Sequence, residues 1–298
     1  MPKIPNRNTT KGLLDNLRVT KEYPRPYLGM SGLGNECAAL LWFDFHWCSK
    51  KIIRPRLQRI FDLGKKFEEI AIANLKEIGV SVYRWENGKK VELTGAYDED
   101  QETLIGFAGH ESGHTDGRAM GFVEFPDQEL GCEFKSMNDA AFEKIKKVGL
   151  QEANPTYYGQ TQRYMKAQEI KVTYFLAINK NNGAYYQEFV YFDKATANDL
   201  SRKAKDIILS DKPMPRAYPD GFWKCFNCSH KSICHGDKQP AANCRTCAFS
   251  NIEDNGGWSC ENKQNIKQVT GSFKNESINL SLDAQKEGCK FYQKGWGL

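Results

Sequence analysis

The sequence predicts an α/β fold, a central sheet flanked by helices, followed by a cysteine-rich metal-binding tail. Three observations carry that expectation. Helical periods alternate with short β-rich runs between residues 36 and 209. A charged hairpin, Asp116 to Lys135, lies in the middle of that alternation. Seven of the ten cysteines fall after residue 224. The 298 residues suffice for one large domain with appendages or for two domains. A hydrophobic fraction of 40%, a charged fraction of 27% and a net charge of +5 fit a soluble protein and are compatible with a nucleic-acid partner without demanding one. No apolar run reaches membrane-spanning length, and residues 1–22 lack the apolar core of a signal peptide. A cytoplasmic protein with no membrane partner is therefore expected. In that compartment clustered cysteines argue for metal rather than disulfides.

Residues 1–22 are polar and basic and read as a flexible arm. The glycines of Gly29 to Gly34 precede no Gly-Lys-Ser/Thr, so a nucleotide cradle gives way to a turn. That turn feeds a helix from about Glu36 to Trp47, with Cys37 in its first turn. Gln58 to Gly79 is a strong helix: Ile60, Leu63, Phe67, Ile70, Ala71, Leu75 and Ile78 follow the helical period, and Glu68 and Glu69 flank the stripe. Val80–Trp85, Lys90–Thr94 and Thr103–Phe107 are short strand candidates. His110-Glu-Ser-Gly-His114 matches the zinc-protease pattern H-E-x-x-H, which works only on a helix. Three glycines and strand-like flanks argue against a helix there.

The hairpin runs up from Gly117 to Phe125, turns through Pro126-Asp127-Gln128 and returns from Glu129 to Lys135. Side chains alternate along a strand, so Glu133 and Lys135 share one face and Cys132 and Phe134 the other. Burying a face with two acids and a lysine is costly unless the charges are compensated. A divalent metal held by Asp116 and Glu133 would compensate them, and Mg²⁺ favours carboxylates plus water and phosphate oxygens. A solvated strand edge with a salt bridge is the bland alternative.

Asn138 caps a helix to about Val148, and Pro155 suits the first turn of another through about Glu169. Gln160 and Tyr164, four apart, share a face of the second. Tyr157, Tyr158, Gln162 and Arg163 on it have the chemistry to stack on bases and grip phosphates; packing on the sheet is the alternative. Lys171–Asn179 and Ala184–Phe192 read as a strand pair turning at Asn181-Asn182-Gly183, before a last helix from Asp193 to Leu209. Prolines then precede Cys225-x2-Cys228-x5-Cys234 and Cys244-x2-Cys247-x12-Cys260, with Cys289 near the end. Cys244, Cys247, Cys260 and Cys289 have the arithmetic of a tetrahedral zinc site.

Together these pieces resemble the PD-(D/E)XK nuclease superfamily, in particular its RecB-like branch with the CRISPR-associated iron–sulfur exonucleases and phage-encoded members. The resemblance covers roughly residues 31–234. Gly113-His-Thr-Asp116-Gly117 looks like the family's acid motif, Glu133-Phe134-Lys135 its E-x-K, and Gln160-x3-Tyr164 its Q-x3-Y helix. Gly64-x3-Glu68 is similar to an upstream helix motif in which many members carry His and others Glu. The resemblance implies a restriction-endonuclease-like core with a mixed sheet. It also implies one [4Fe-4S] cluster on Cys37, Cys225, Cys228 and Cys234; four thiolates suit such a cluster and equally suit zinc. Cys48 is the rival of Cys37.

The domain order expected is an arm to residue 22, a nuclease core over 23–222, an iron–sulfur segment over 223–239 and a zinc tail over 240–298. The activity implied is Mg²⁺- or Mn²⁺-dependent hydrolysis of DNA, as an exonuclease. Asp116, Glu133 and the Phe134 carbonyl would hold the metal, with Glu68 beside them. Lys135 would position the attacking water, and Gln160 and Tyr164 would orient the substrate or Lys135. The partner is single-stranded or end-containing DNA. No ATP motif is present, so a helicase or recombination motor would be a separate protein. The alternatives from other classes are a non-catalytic nucleic-acid-binding adapter using the metal-rich tail, and a zinc protease through His110 and His114.

Overall fold

The computed structural model describes residues 9–17, 20–94 and 101–296. The chain forms two compact units, one from 1–22, 52–104 and 114–194, the other from 23–51, 105–113 and 195–298. Each is built from separate stretches of sequence, and the second contains both cysteine clusters.

In the first unit the elements are α1 (Thr10–Asn16), α2 (Pro55–Glu77), β1 (Ser81–Glu86), β2 (Lys89–Glu92), β3 (Arg118–Met120), β4 (Leu130–Met137), α3 (Asp139–Ala153), α4 (Pro155–Gln168), β5 (Val172–Asn179) and β6 (Tyr185–Tyr191). The sheet order is β6-β5-β4-β3-β1-β2. β4 pairs parallel with β5 and antiparallel with β3, so the sheet is mixed. The parallel pair is joined by α3 and α4, the long crossover that parallel strands require. Asn138 accepts a hydrogen bond from the Ala141 amide and Asn154 one from the Tyr157 amide, capping the two helices.

Two apolar layers hold the sheet. Cys132, Phe134, Tyr174 and Leu176 pack with Ala71, Ile72 and Leu75 of α2. Phe175, Ala177 and Val190 pack with Phe142, Ile145 and Met165 of α3 and α4. Alternation along β4 therefore works as expected: Cys132 and Phe134 enter the α2 layer while Glu133 and Lys135 turn away from it.

Three readings of this unit need correction. Residues 9–17 are not a featureless arm: Thr9 caps the short helix α1, whose polar sequence hides any period; Thr20–Glu22 is a short strand, and residues 1–8, 18 and 19 lie outside the described residues. The upward strand of the hairpin stops at Met120 rather than Phe125. Gly121 has φ +97°, and a Cβ there would stand 3.1 Å from the Gly79 carbonyl oxygen, so the chain leaves the sheet in a conformation only glycine adopts easily. Ile60, Leu63 and Ile70 of α2 are exposed, as is Ile78 just past its end, and the packed face is Ala71, Ile72 and Leu75 with the partly buried Phe67. Apolar residues on two faces left the period ambiguous, and the sheet took the second.

The second unit is organised around the helix Ala38–Phe45. Its Leu41, Trp42, Phe43 and Phe45 pack with Ala204, Ile207 and Ile208 of the helix Lys194–Leu209 and with Trp258 and Trp296 from the tail. Arg245 is buried among them; its guanidinium donates to the carbonyls of Phe45 and Pro26 and to Gln285 Oε1 at 2.9–3.0 Å and lies 3.9 Å from the Trp47 ring centroid. The tail adds an antiparallel sheet of Ser250–Ile252, Trp258–Cys260 and Ile278–Leu280. The cysteine-rich stretch is thus part of a core, and all ten cysteines are free thiols. No described helix is long and apolar enough to cross a membrane.

Candidate active site and cysteine clusters

The first unit gathers charge where β3 begins beside β4. The Cys132 amide still pairs with the Gly117 carbonyl at 2.9 Å. One step further, the Phe134 amide finds no strand partner on that side and donates to Asp116 Oδ2 at 2.8 Å. A carboxylate has replaced a strand neighbour. Gly117 permits the bend: its φ is +133°, and a Cβ would lie 3.0 Å from Leu93 Cδ1 and 3.2 Å from the Tyr83 carbonyl oxygen. The Thr115 hydroxyl closes the turn from the other side, accepting from the Gly117 amide at 2.8 Å.

Lys135 Nζ pairs with Glu133 Oε1 and lies 4.0 Å from Asp116 Oδ2. Gln160 on α4 donates from Nε2 to the same Glu133 Oε1 at 2.7 Å. Glu133 is fully buried, and its Oε2 has no hydrogen-bond partner. Tyr164, one turn beyond Gln160, is also buried. The Tyr157 ring lies 5.3 Å from Lys135 Nζ.

Burial pushes the Glu133 carboxyl up to about 8; Lys135 opposes the shift while Asp116 and Glu68 add to it. Glu68 is pushed up to about 7 by burial and by Asp116, against Lys135. Asp116 is raised by burial, against Lys135 and the Phe134 amide. For Lys135, burial pulls down but Glu133 and Asp116 outweigh it, so the ammonium stays charged. Three carboxyls thus share one cation; burial raises all three, and repulsion from Asp116 adds to the rise at Glu133 and Glu68. The structure brings Glu68, Asp116, Glu133, Lys135 and Gln160 together.

Other sequence candidates fall elsewhere. Glu111–Thr115 is a strand, so His110 and His114 are not one helical turn apart. His110 Nε2 is 2.8 Å from the Glu253 carbonyl oxygen, and His114 Nδ1 is 3.2 Å from Thr103 Oγ1, which removes the geometry of a zinc protease. Gln162 is buried: it donates to the Tyr191 carbonyl at 3.0 Å and accepts from the Asp193 amide at 2.7 Å. Arg163 is buried as well, and Tyr157 and Tyr158 pack against the α3–α4 layer, so packing on the sheet prevails over an exposed base-stacking face. Thr115 and Tyr157 are the site neighbours that sequence reasoning did not single out for these positions. A Thr two residues before a Gly beside an acid is the signal that could have found the first.

The second unit brings each cysteine set to one pocket. Cys37, Cys225, Cys228 and Cys234 line one small pocket; Cys48 does not line it. Burial raises the Cys234 and Cys228 thiols, and neighbouring cysteines of the set add to the rise. His235 Nε2 lies 3.8 Å from Cys225 Sγ. Cys244, Cys247, Cys260 and Cys289 line another small pocket. Burial pushes Cys244 up to about 12, with contributions from Cys247, Cys289 and Cys260. Asn265 Nδ2 donates to Cys260 Sγ at 3.6 Å. Among the described residues, no group of three or more His, Cys, Asp or Glu side chains is placed to hold a metal ion, so the expected metal-binding tail has no geometric support.

No protein-family model matches the sequence. No curated protein matches it either. Among solved structures the chain is similar to the alkaline exonuclease LHK-Exo of Laribacter hongkongensis, with a TM-score of 0.42 and 17% identity over 61% of this chain and 86% of that one. LHK-Exo in complex with dAMP gives 0.41 and 15% over the same shares, 61% and 86%. SSO0001 gives 0.38 and 15% over 78% of this chain and 100% of that one.

Proposed function

We propose that this protein is a metal-dependent DNA nuclease of the PD-(D/E)XK type. One observation carries the reading. Asp116, Glu133 and Lys135 converge beside Glu68 and Gln160, with a buried Glu133 oxygen left without a partner. A salt bridge alone does not account for three carboxyls around one ammonium, because two negative charges are left over once all ionise.

The donor set fits a hard divalent cation such as Mg²⁺ or Mn²⁺: oxygen ligands, an orphaned carboxylate oxygen and excess negative charge. Asp116, Glu133 and the Phe134 carbonyl would hold it, with Glu68 beside them. A cation bound there supplies Lewis-acid charge for the scissile phosphate and lowers the pKa of water. Lys135 holds a full positive charge at the mouth of the site, where it positions water and opposes the charge that develops on phosphorus. Gln160 fixes one oxygen of Glu133 and leaves the other without a partner, free to serve as a ligand. Thr115 and Gly117 hold the turn that aims Asp116. Single-stranded or end-containing DNA is the substrate we infer, and attack at chain ends the mode.

In the second unit the donor chemistry fits thiophilic centres. Each pocket gathers four cysteines, and a thiophilic cation favours their thiolate forms, offsetting the burial that raises Cys228, Cys234 and Cys244. Cys37, Cys225, Cys228 and Cys234 would hold a [4Fe-4S] cluster, and Cys244, Cys247, Cys260 and Cys289 a zinc ion. Either would contribute to folding.

The test is incubation of the purified protein with end-labelled single- and double-stranded DNA and Mg²⁺ or Mn²⁺. Metal-dependent product is expected from the parent and none from Glu133→Gln. A parent that retards DNA but leaves it intact with every cation would replace the nuclease by a binding adapter.

A further inference from the structure

The second unit carries an exposed aromatic surface that the proposed catalytic site does not use. Trp223 and Phe226 are among the most exposed large side chains of the protein, at 66% and 62%. Their exposure follows from local geometry. Trp223–Cys225 is a 3-10 turn continued by Phe226, with the Cys225 and Phe226 amides bonded to the Phe222 and Trp223 carbonyls at 2.9 and 3.2 Å. Residues three apart eclipse in such a turn. Phe222 and Cys225 therefore take one side, and Cys225 lines the cysteine pocket. Trp223 and Phe226 take the other and meet water. Phe222 in turn stacks on Tyr218 with ring centroids 4.6 Å apart.

Cations are interleaved with these rings. Lys224 Nζ lies 5.0 Å from the Tyr218 ring and 5.8 Å from that of Trp223, and Lys231 Nζ lies 5.2 Å from that of Phe226. Lys224 pairs with Glu36 at 2.9 Å and Lys231 with Asp220 at 3.9 Å, surface pairs that a phosphate can replace. Residues 212–238 carry Lys212, Arg216, Lys224, Lys231 and Lys238 against Asp220 and Asp237, a net charge of +3 within that stretch.

We propose that this surface binds single-stranded nucleic acid, stacking bases on Trp223 and Phe226 and drawing phosphates to Lys224, Lys231 and Arg216. Exposed rings with cations between them meet both halves of that ligand, π-faces and a negative backbone. A protein partner matches less well, because lysine is depleted in protein interfaces. A duplex hides its base faces and offers the rings nothing to stack on.

The test measures anisotropy of fluorescein-labelled oligo(dT), oligo(U) and a duplex on the full chain carrying Glu133→Gln, without added divalent metal. Adding Trp223→Ala and Phe226→Ala is expected to raise the dissociation constant for oligo(dT) by about tenfold or more. Duplex binding should change less, and the unfolding midpoint should stay put, because both rings are exposed. Trp223→Phe with Phe226→Tyr keeps stacking faces and should restore binding; equal response to oligo(U) would extend the ligand to RNA. Oligo(dT) affinity unchanged within about twofold on loss of both rings overturns the proposal. Unchanged affinity together with a concentration-dependent dimer that the alanine changes abolish would assign the rings to self-association instead. Because Glu133→Gln disables the proposed chemistry throughout, this outcome is separate from that of the cleavage assay.

Discussion

The Gln160 side chain donates its amide to one oxygen of the Glu133 carboxyl, at 2.7 Å, and the other oxygen of that carboxyl has no partner. The relationship makes Gln160 a positioning residue in the proposed site. Gln160→Leu removes the bond and leaves the fold's apolar layers intact. A hydrogen bond to a charged group contributes about 1.5–3 kcal/mol, so kcat/KM on end-labelled DNA should fall roughly 10- to 150-fold. Gln160→Glu should be worse, because a fourth carboxyl would join three. An unimpaired Gln160→Leu enzyme would detach the helix α4 from the chemistry.

Gly117→Ala tests the bend that aims Asp116. The backbone there has φ +133°, and the added methyl would press on Leu93 and the Tyr83 carbonyl. A loss of about 1–3 kcal/mol in urea unfolding is expected, with cleavage reduced beyond what the unfolded fraction explains. Parent-like stability in that variant would mean the turn is not constrained as described.

The cysteine sets separate by metal analysis after anaerobic purification. Cys228→Ser should lose iron and its visible absorption while zinc remains, and Cys247→Ser should lose zinc while iron remains. Cys48→Ala should keep both, since Cys48 is absent from both pockets. Retention of full metal content by Cys228→Ser and Cys247→Ser would remove both assignments.

His46 gives the second unit an acid limit. It is buried, its ring stacks on Trp42 at 3.9 Å between centroids, and its Nδ1 lies 3.0 Å from the Trp42 carbonyl oxygen. Burial pulls its pKa down to about 3, with Arg245 and His110 adding to the drop and the Trp42 carbonyl opposing it. The unfolded chain binds a proton at this group below about pH 6.5 and the folded chain does not. The contribution is therefore intact above pH 6.5 and is lost as pH falls towards 3, at about 1.4 kcal/mol per unit. His46→Gln keeps a donor for Trp42 and removes the titration, so its stability should fall less steeply between pH 7 and 4.5. Parallel slopes for parent and variant in urea unfolding would contradict this.

The central site was legible because strand alternation and helix facing are local rules. Glu133 and Lys135 had to share a face once their strand was recognised, and Gln160 had to face the sheet with Tyr164. Alternation did not reveal that Asp116 would take the place of a strand partner for Phe134, which depends on where β3 starts. Nor did it reveal Tyr157 beside Lys135, which depends on how α4 crosses β4. The stripe on α2 was misplaced because apolar residues occur on two of its faces and only the sheet decides between them. Gln162 and Arg163 looked like surface chemistry because polar residues usually are; Gln162 instead joins α4 to the chain around Tyr191 and Asp193. His110 and His114 matched a motif whose helix the surrounding glycines exclude.

The most direct measurement titrates Mn²⁺ into the metal-free carboxylate site by calorimetry at pH 6.5 and 8.5, for the parent and for Glu133→Gln. Glu133 and Glu68 hold protons up to about 8 and about 7 in the metal-free protein, so a cation must displace them. Binding should be at least about tenfold tighter at pH 8.5 than at pH 6.5, accompanied by proton release, and lost in Glu133→Gln. Equal Mn²⁺ binding by parent and Glu133→Gln would contradict the account.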